Sequence, residues 1–203
     1  MRNILLSTLV LFLSFQASSQ TFIGLRSEPG FANLLFWDKP SWGFQSEYQE
    51  IRSRFAHSGG VEFTHYFKEG IGIRTGLFLL SNGYKTYYSR QPNNYPVRAD
   101  RMYCYYLSLP AEMIISQGNF YLAFGPNVNY LIANRRTFSD GQADFEYNDI
   151  PALAFGLKIE PGVQFYIADK IRGFAGVFLR TMYNAKGNIN YGFTGGVAYR
   201  LAR

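Results

Sequence analysis

Large apolar residues alternate with small or charged ones along most of the chain. The alternation is clearest between Pro151 and Ala168, where every second residue from Leu153 to Ile167 is large and apolar, apart from Pro161. A period of two predicts a β-strand with one apolar face and one polar face. The segment is also longer than the ~9–11 residues with which a tilted strand crosses a bilayer. The pattern therefore predicts a membrane-crossing β-strand.

The same alternation recurs in eight segments. Short polar connections take turns with long ones, which is typical of a bacterial outer-membrane barrel with periplasmic turns and external loops. We therefore expect an all-β fold, an eight-stranded antiparallel up-and-down transmembrane β-barrel. Glu28-Pro29-Gly30 predicts a bulge in the first strand, because proline cannot donate to a ladder. The predicted strands are Thr21–Phe36, Arg52–Phe67, Ile71–Lys85, Arg101–Ile115, Asn119–Asn134, Ala152–Ala168, Ile171–Tyr183 and Ile189–Leu201.

The alternation alone does not say which face points inward. A soluble periplasmic ligand-binding barrel has apolar residues inside, and it stays open as an alternative. Two features favour lipid contact for the apolar face. The polar face is rich in glycine and alanine, which suit a narrow lumen, and the apolar face carries almost no charge, where Lys or Arg would cost about 2–4 kcal/mol. We expect a lumen charge network formed by Glu62, Arg74, Lys158, Glu160, Arg180 and Arg200; the alternative is that some of them lie at the wet ends of the lumen.

Aromatic residues cluster near both ends of the predicted strands. The chain has 16 Tyr, 19 Phe and 2 Trp. Tyr66 and Tyr121 lie near short connections, and Tyr84 and Tyr130 lie near long ones. Aromatic rings favour the boundary between lipid and water, so the pattern predicts two girdles around the barrel.

The first residues predict an export signal. Arg2 is followed by an apolar core at residues 4–15 and by small residues before Gln20. This order is typical of a cleaved signal peptide. We expect residues 1–19 to be the signal peptide, residues 20–203 to be the outer-membrane barrel domain, and the destination to be the bacterial outer membrane.

The distribution of charge and the spacing of possible metal-ligand residues limit what the protein is expected to bind. The net charge is +6, but the basic residues are scattered, which argues against nucleic-acid binding. His57, His65 and the single cysteine, Cys104, are not spaced as a metal site, and we expect no cofactor. Arginine binds phosphate well, so lipopolysaccharide is a candidate partner of the outer rim, although a merely solvated rim is the alternative. The candidate rim residues are Arg90, Arg98, Arg101, Arg135 and Arg136.

Several segments resemble the outer-membrane β-barrel domain family of Bacteroidota, which includes PorT-like proteins. The resemblance lies in Tyr106–Pro110, Phe120–Pro126, Gly162-Val163 and Gly195–Arg200. It implies a barrel without shared catalytic residues and a role in envelope assembly.

These observations predict a small, closed, non-enzymatic barrel. About eight strands enclose a lumen that side chains fill, so a channel is not expected. The loops would serve a structural, binding or assembly role, with outer-membrane lipid, lipopolysaccharide and envelope proteins as partners. The alternative from another class is a rim enzyme, in which His57 and an aspartate such as Asp100, Asp140 or Asp149 form a base–orienter pair.

Overall fold

A computed structural model of the chain describes residues 20–34, 48–89, 98–138, 151–183 and 187–202. The predicted signal peptide lies outside the described residues. The described residues include no helix that is long and apolar enough to cross a membrane. The strands are β1 Gln20–Leu34, β2 Tyr48–Arg52, β3 Arg54–Lys68, β4 Ile71–Ser89, β5 Arg98–Gln117, β6 Phe120–Phe138, β7 Leu153–Ala168, β8 Ile171–Met182 and β9 Asn188–Ala202.

Antiparallel pairing between strands that follow each other in the chain closes the sheet into a barrel. β1 pairs with β9 and with β3, and the β4–β5 pairing completes the circle. β2 and β3 both pair with β4 and are separated only by Ser53, so together they form one interrupted strand. The prediction of an eight-stranded antiparallel up-and-down barrel is confirmed.

The interruption at Ser53 is an irregularity of the β-bulge kind. Residues 53–57 face only residues 81–84 between the paired positions Arg52↔Lys85 and Ser58↔Leu80. Arg54 fills part of the gap, because its Nη1 donates to the carbonyl oxygen of Asn82 at 3.0 Å. An extra residue on one strand bends the backbone and redirects the neighbouring side chains.

Pro29 does not interrupt β1, and the bulge predicted at residues 28–30 is wrong. Pairing with β3 continues through Pro29↔His57. Pairing with β9 passes from Ser27↔Gly195 to Gly30↔Gly192 without a change of register. Proline has no N–H to donate, but it can adopt an extended backbone. The strand therefore continues, although the hydrogen-bond ladder lacks a donor at this position.

The apolar face of the strands is the outer face of the barrel. Leu25, Leu79 and Phe193 are 64%, 63% and 70% exposed, whereas their neighbours along the strands point into the lumen. An outer surface of this kind suits hydrocarbon and not water. The alternative of a soluble barrel with an apolar interior is therefore wrong.

The aromatic girdles differ in part from the prediction. Tyr66 and Tyr121 are buried in the lumen at 7% and 5% exposure, since both have the inward parity of their strands. Phe31 does lie on the outer surface, where its ring contacts those of Phe55 and Tyr191 at centroid distances of 6.2 and 6.1 Å. These rings form an outward aromatic group near the ends of β1, β3 and β9.

The two ends of the barrel differ in height. We call the end with the turns at residues 69–70, 118–119 and 169–170 the turn end, and the opposite end the loop end. β4, β5 and β6 have 19, 20 and 19 residues, whereas β8 has 12. The β5–β6 pairing reaches Asp100↔Phe138, but the β6–β7 pairing stops at Tyr130↔Leu153. The wall made by β4, β5 and β6 is therefore taller at the loop end.

Candidate functional site

Charged side chains from six strands meet inside the barrel. Each belongs to the inward parity of its strand, and each is at most 4% exposed. Four are acidic and four are basic, so the group is neutral overall. We call this group the central ion cluster; its members are Arg26, Glu28, Glu62, Arg74, Glu112, Lys158, Glu160 and Arg180.

Glu160 lies at the centre of the cluster and is completely buried. Its carboxylate accepts hydrogen bonds from Arg26 Nη1 at 2.6 Å and from Arg74 Nη1 at 3.0 Å. Lys158 Nζ lies 2.7 Å from its Oε2, and the hydroxyl of Tyr121 donates to its Oε1 at 2.7 Å. One carboxylate thus joins β1, β4, β6 and β7 across the lumen.

Two further carboxylates pair with the same arginines. Glu62 accepts from Arg26 Nε at 2.7 Å and lies 2.6 Å from its Nη2. Glu112 lies opposite Arg74 in the β4–β5 register and accepts from its Nε at 2.6 Å. Each guanidinium therefore contacts a neighbouring strand and also reaches across the barrel to Glu160.

Glu28 completes the cluster towards the loop end. It forms ion pairs with Lys158 and Arg180, and its Oε1 lies 3.8 Å from Arg26 Nη1. A buried charge is tolerated only where partners compensate its lost hydration. Each charged group of the cluster has at least one oppositely charged partner, which explains how a narrow lumen holds so many charges.

Apolar layers lie on both sides of the central ion cluster. The loop-end layer contains the buried side chains of Leu80, Met102, Cys104, Tyr106, Ala154 and Met182. The turn-end layer contains those of Phe22, Tyr66, Ile114, Tyr121, Ala123, Phe174 and Ala198.

A small cavity lies between the central ion cluster and the turn-end layer. Its lining includes Arg26, Glu62, Thr64 and Arg172, and its volume of about 10 Å³ suits roughly one water molecule. This cavity is far too small for a solute to pass.

Arg172 is buried in the turn-end layer and has neutral partners. Its Nη1 donates to the hydroxyl of Tyr66 at 2.8 Å and to Oε1 of Gln164 at 3.2 Å. Its guanidinium carbon lies 4.1 Å from the centroid of the Phe22 ring. Stacking on aromatic rings and hydrogen bonds to neutral groups hold this arginine.

The sequence pattern grouped Arg200 with the lumen charges, but the structure places it elsewhere. Its Nη2 donates to the carbonyl oxygen of Asp169 at 2.5 Å, at the turn end. Arg200 has the inward parity but lies where the lumen opens, so a backbone carbonyl is its partner. The sequence analysis missed Arg26, Glu28, Glu112 and Arg172, although inward parity marks all four.

The rim arginines fall on the tall wall. Arg101 and Arg135 are exposed, and Arg136 is half-buried opposite Met102. Pairing passes from Tyr105↔Ala133 to Tyr106↔Leu131, so Ile132 is an extra residue that turns Arg135 outward. Arg90 and the side chain of Arg98 lie outside the described residues.

His57 lies on the outer surface and not in the lumen. Its Nε2 is 3.0 Å from the Oγ of Ser27. The aspartates that could orient it, Asp140, Asp149 and the side chain of Asp100, lie outside the described residues. Among the residues that can be described, no group of three or more His, Cys, Asp or Glu side chains could hold a metal ion.

A closed antiparallel barrel with an apolar exterior and an ion-paired interior satisfies its backbone hydrogen bonds internally and defines an integral outer-membrane β-barrel protein. Residues 16–194 match the family described as "Outer membrane protein beta-barrel domain". The chain belongs to this family.

Solved structures of similar fold come from several bacteria. Neisserial surface protein A is 14% identical, with 88% of this chain and 96% of that chain covered and a TM-score of 0.46. Ail of Yersinia pestis, solved with the heparin analogue sucrose octasulfate, is 11% identical, with 90% and 97% covered and a TM-score of 0.45. OprG of Pseudomonas aeruginosa is 11% identical, with 92% and 97% covered and a TM-score of 0.40. No curated protein sequence matches the chain.

Proposed function

We propose that the barrel is a closed scaffold whose loops act by binding or by assisting envelope assembly. This loop-mediated role is non-enzymatic. The observation that carries the proposal is the filled lumen, in which the central ion cluster lies between two apolar layers. We also propose that the chain is PorT-like and of Bacteroidota origin, on the motifs at Tyr106–Pro110 and Phe120–Pro126.

A filled lumen leaves the two ends as the surfaces available for interaction with water-soluble partners. The turn end offers three short turns. The loop end offers the long connections and the extended parts of β4, β5 and β6. By the usual orientation of such barrels, long connections face the cell exterior. We therefore place the functional surface on the tall wall and the loops beside it.

Reconstitution tests the closed lumen. The full chain, folded and inserted into lipid vesicles, is expected to release an entrapped small sugar no faster than empty vesicles do. A matched preparation of a general porin provides the positive control. Sugar release at a porin-like rate would contradict the scaffold proposal, because a conducting pathway needs no loop partner.

Lipopolysaccharide is the proposed ligand of the tall wall. Arg101 and Arg135 point outward at diagonal positions of the β5–β6 ladder. Guanidinium groups form strong charge-assisted hydrogen bonds with phosphate. Two adjacent arginines at the outer leaflet would therefore hold a phosphorylated lipid headgroup.

Charge reversal tests this ligand. The Arg101→Glu/Arg135→Glu variant, titrated with purified lipopolysaccharide and followed by native mass spectrometry, is expected to bind at least roughly tenfold more weakly, or about 1.4 kcal/mol. Lys170→Glu changes an exposed charge at the turn end and serves as the matched control. Equal binding by both variants would remove lipopolysaccharide from the proposal.

A protein partner is tested separately. The folded full chain is used to capture partners from detergent-solubilised envelopes, beside a variant in which residues 139–150 are replaced by a Gly-Ser linker. The proposal predicts an envelope protein that only the wild-type chain retains. Identical captured proteins from both chains would argue against recognition through that connection.

A further inference from the structure

The outer surface holds a hydrogen-bonded serine and histidine. Ser27 on β1 and His57 on β3 both have outward parity and are exposed, and Ser27 Oγ lies 3.0 Å from His57 Nε2. Their outward neighbours Leu25, Phe31 and Phe55 are 64%, 48% and 59% exposed. A nucleophile and a base at hydrogen-bond distance therefore face the lipid from within an apolar belt.

One backbone irregularity flanks His57 on its β4 side. The interrupted β2–β3 strand places residues 53–57 against the shorter segment 81–84 of β4. His57 donates its backbone N–H to Ser81 Oγ at 3.0 Å, and Pro29 is its partner on β1. Bulges commonly re-aim a side chain beside a functional site. The contact itself follows from the regular β1–β3 register, which places Ser27 diagonally opposite His57.

Small neighbours leave the serine hydroxyl open to the lipid side. Gly59 and Gly195 are the register partners of Ser27 on β3 and β9. A methyl group added at Gly195 would meet no other atom nearer than the carbonyl oxygen of Phe174 at 3.6 Å. A bulky ester can therefore approach Ser27 across the surface between its neighbouring strands.

The pair lies at a suitable depth for lipid ester bonds. Phe31, Phe55 and Tyr191 form the outward aromatic group four residues further along β1 towards the loop end. Aromatic groups of this kind mark the boundary between hydrocarbon and water. His57 lies two residues and Ser27 four residues from that group along their strands, roughly 7 and 13 Å of extended backbone, on the side that long connections assign to the outer leaflet.

We propose that Ser27 and His57 form a catalytic pair that hydrolyses an ester-linked acyl chain of an outer-leaflet lipid. This activity goes beyond the loop-mediated role and does not depend on it. Nδ1 carries the imidazole proton, so Ser27 donates its hydroxyl hydrogen to Nε2.

The proposed reaction balances without an external oxidant or metal. Ser27 Oγ bonds to the ester carbonyl carbon while its proton moves to His57 Nε2. The bond from that carbon to the alcohol oxygen breaks, and the alcohol leaves with the proton from Nε2. A water molecule from the nearby boundary then attacks the acyl-serine, giving its proton to Nε2, and the fatty acid leaves as that proton returns to Ser27 Oγ.

A second hydroxyl–histidine pair supplies an internal control. Thr21 Oγ1 lies 2.9 Å from His65 Nδ1, also on the outward parity but at the turn end. The His65 ring packs against that of Phe67 at 5.2 Å. This pair also joins a hydroxyl to an imidazole nitrogen, but it lies at the turn end, away from the outer leaflet, so we expect no reaction with an outer-leaflet lipid.

The first experiment labels the nucleophile. The folded full chain is incubated with a long-chain fluorophosphonate, and the modified residue is mapped by peptide mass spectrometry. We expect labelling at Ser27, its loss in Ser27→Ala and His57→Ala, and its retention in Thr21→Ala and His65→Ala. Altered mobility of unheated samples in detergent gels verifies that each variant is folded.

The second experiment measures the reaction. Vesicles contain either diacyl phospholipid alone or phospholipid with lipopolysaccharide, in each case with labelled ester-linked acyl chains. Fatty-acid release by Ser27→Ala and by His57→Ala should be roughly 100-fold or more slower than release by the wild type. The vesicle type that supports release identifies the lipid that is hydrolysed. The proposal is overturned if folded wild type neither labels at Ser27 nor releases fatty acid, or if both signals survive in His57→Ala.

Discussion

The lumen face and the lipid face of this barrel are built from alternate residues of the same strands, yet they handle polar groups differently. In the lumen, Glu160 is 0% exposed and has several cationic partners. On the lipid face, the hydroxyl–imidazole pairs Ser27–His57 and Thr21–His65 interrupt an apolar surface. The ion-paired charges thus lie where partners from other strands converge, and in these two outer pairs a hydroxyl and an imidazole bond to each other. The following predictions test that division.

Removing the central carboxylate should have the largest effect. Glu160→Ala leaves Arg26, Arg74 and Lys158 with fewer counter-charges in the buried lumen. Breaking a buried ion pair typically costs about 3–5 kcal/mol. Urea unfolding of the barrel in lipid vesicles should show that loss, whereas Glu69→Ala in an exposed turn should be neutral. Equal stability of the two variants would contradict the role assigned to the central ion cluster.

A charge introduced on the lipid face should reduce the free energy of unfolding somewhat less than the loss of Glu160 does. Leu77 is 49% exposed on the lipid face, in register with Val61. Leu77→Arg should reduce the free energy of unfolding by about 2–4 kcal/mol, because the guanidinium lacks partners in hydrocarbon. Glu69→Arg introduces the same group into a wet turn and is the control. A stability of Leu77→Arg within error of that control would mean that this face is not immersed in lipid.

A smaller effect is expected where a lumen glycine accommodates a ring. A methyl group at Gly162 would lie 2.5 Å from Cζ of Tyr121, whose hydroxyl is held by Glu160. Gly162→Ala should therefore cost about 1–3 kcal/mol through overpacking. The outward Gly195 has open space, so Gly195→Ala should leave the unfolding midpoint nearly unchanged. The reverse order in the two urea midpoints would contradict the packing described for the lumen.

The smallest effect is expected for the labelling of a thiol in the loop-end apolar layer. Cys104 is 6% exposed and packs in that layer. A water-soluble maleimide should label it slowly in the folded barrel and rapidly after unfolding in urea. Tyr105→Cys, tested in a Cys104→Ser background, places the thiol on the exposed outer face as a comparison. Rapid labelling of native Cys104 would indicate that water reaches the lumen.

Alternation along the strands predicted much of this fold, because a period of two assigns each residue to a face. The inward parity of Glu62, Arg74, Lys158 and Glu160 is visible in the sequence for that reason. Arg26 and Glu28 have the same parity on β1, but neighbouring Pro29 obscured that strand.

The partners of each charge could not be predicted from the sequence. Arg26 and Glu160 are 134 residues apart, and their contact depends on strand register and on the width of the closed barrel. The alternation shows which face of the sheet a residue lies on, but not how far along the barrel axis it lies. Arg200 therefore resembled a lumen residue in the sequence, although it lies at the turn end.

Irregular backbone explains the remaining differences. The extra residue in the interrupted β2–β3 strand and the extra Ile132 in β6 change which way later side chains point. Neither position carries a glycine or proline that would mark it in the sequence. The Ser27–His57 contact depends on the β1–β3 register, so His57 could be identified as a candidate but its serine partner could not.

The central claim is that the large apolar side chains touch lipid while polar and charged ones fill the lumen. The most direct measurement is of intermolecular nuclear Overhauser effects between lipid acyl chains and methyl groups of the folded, otherwise deuterated protein in a lipid bilayer mimic. Strong effects are expected for Leu25, Leu79 and Leu157, and none for the buried Leu80 and Ile114. Acyl-chain contacts at Leu80 and Ile114, with none at the other three, would contradict it.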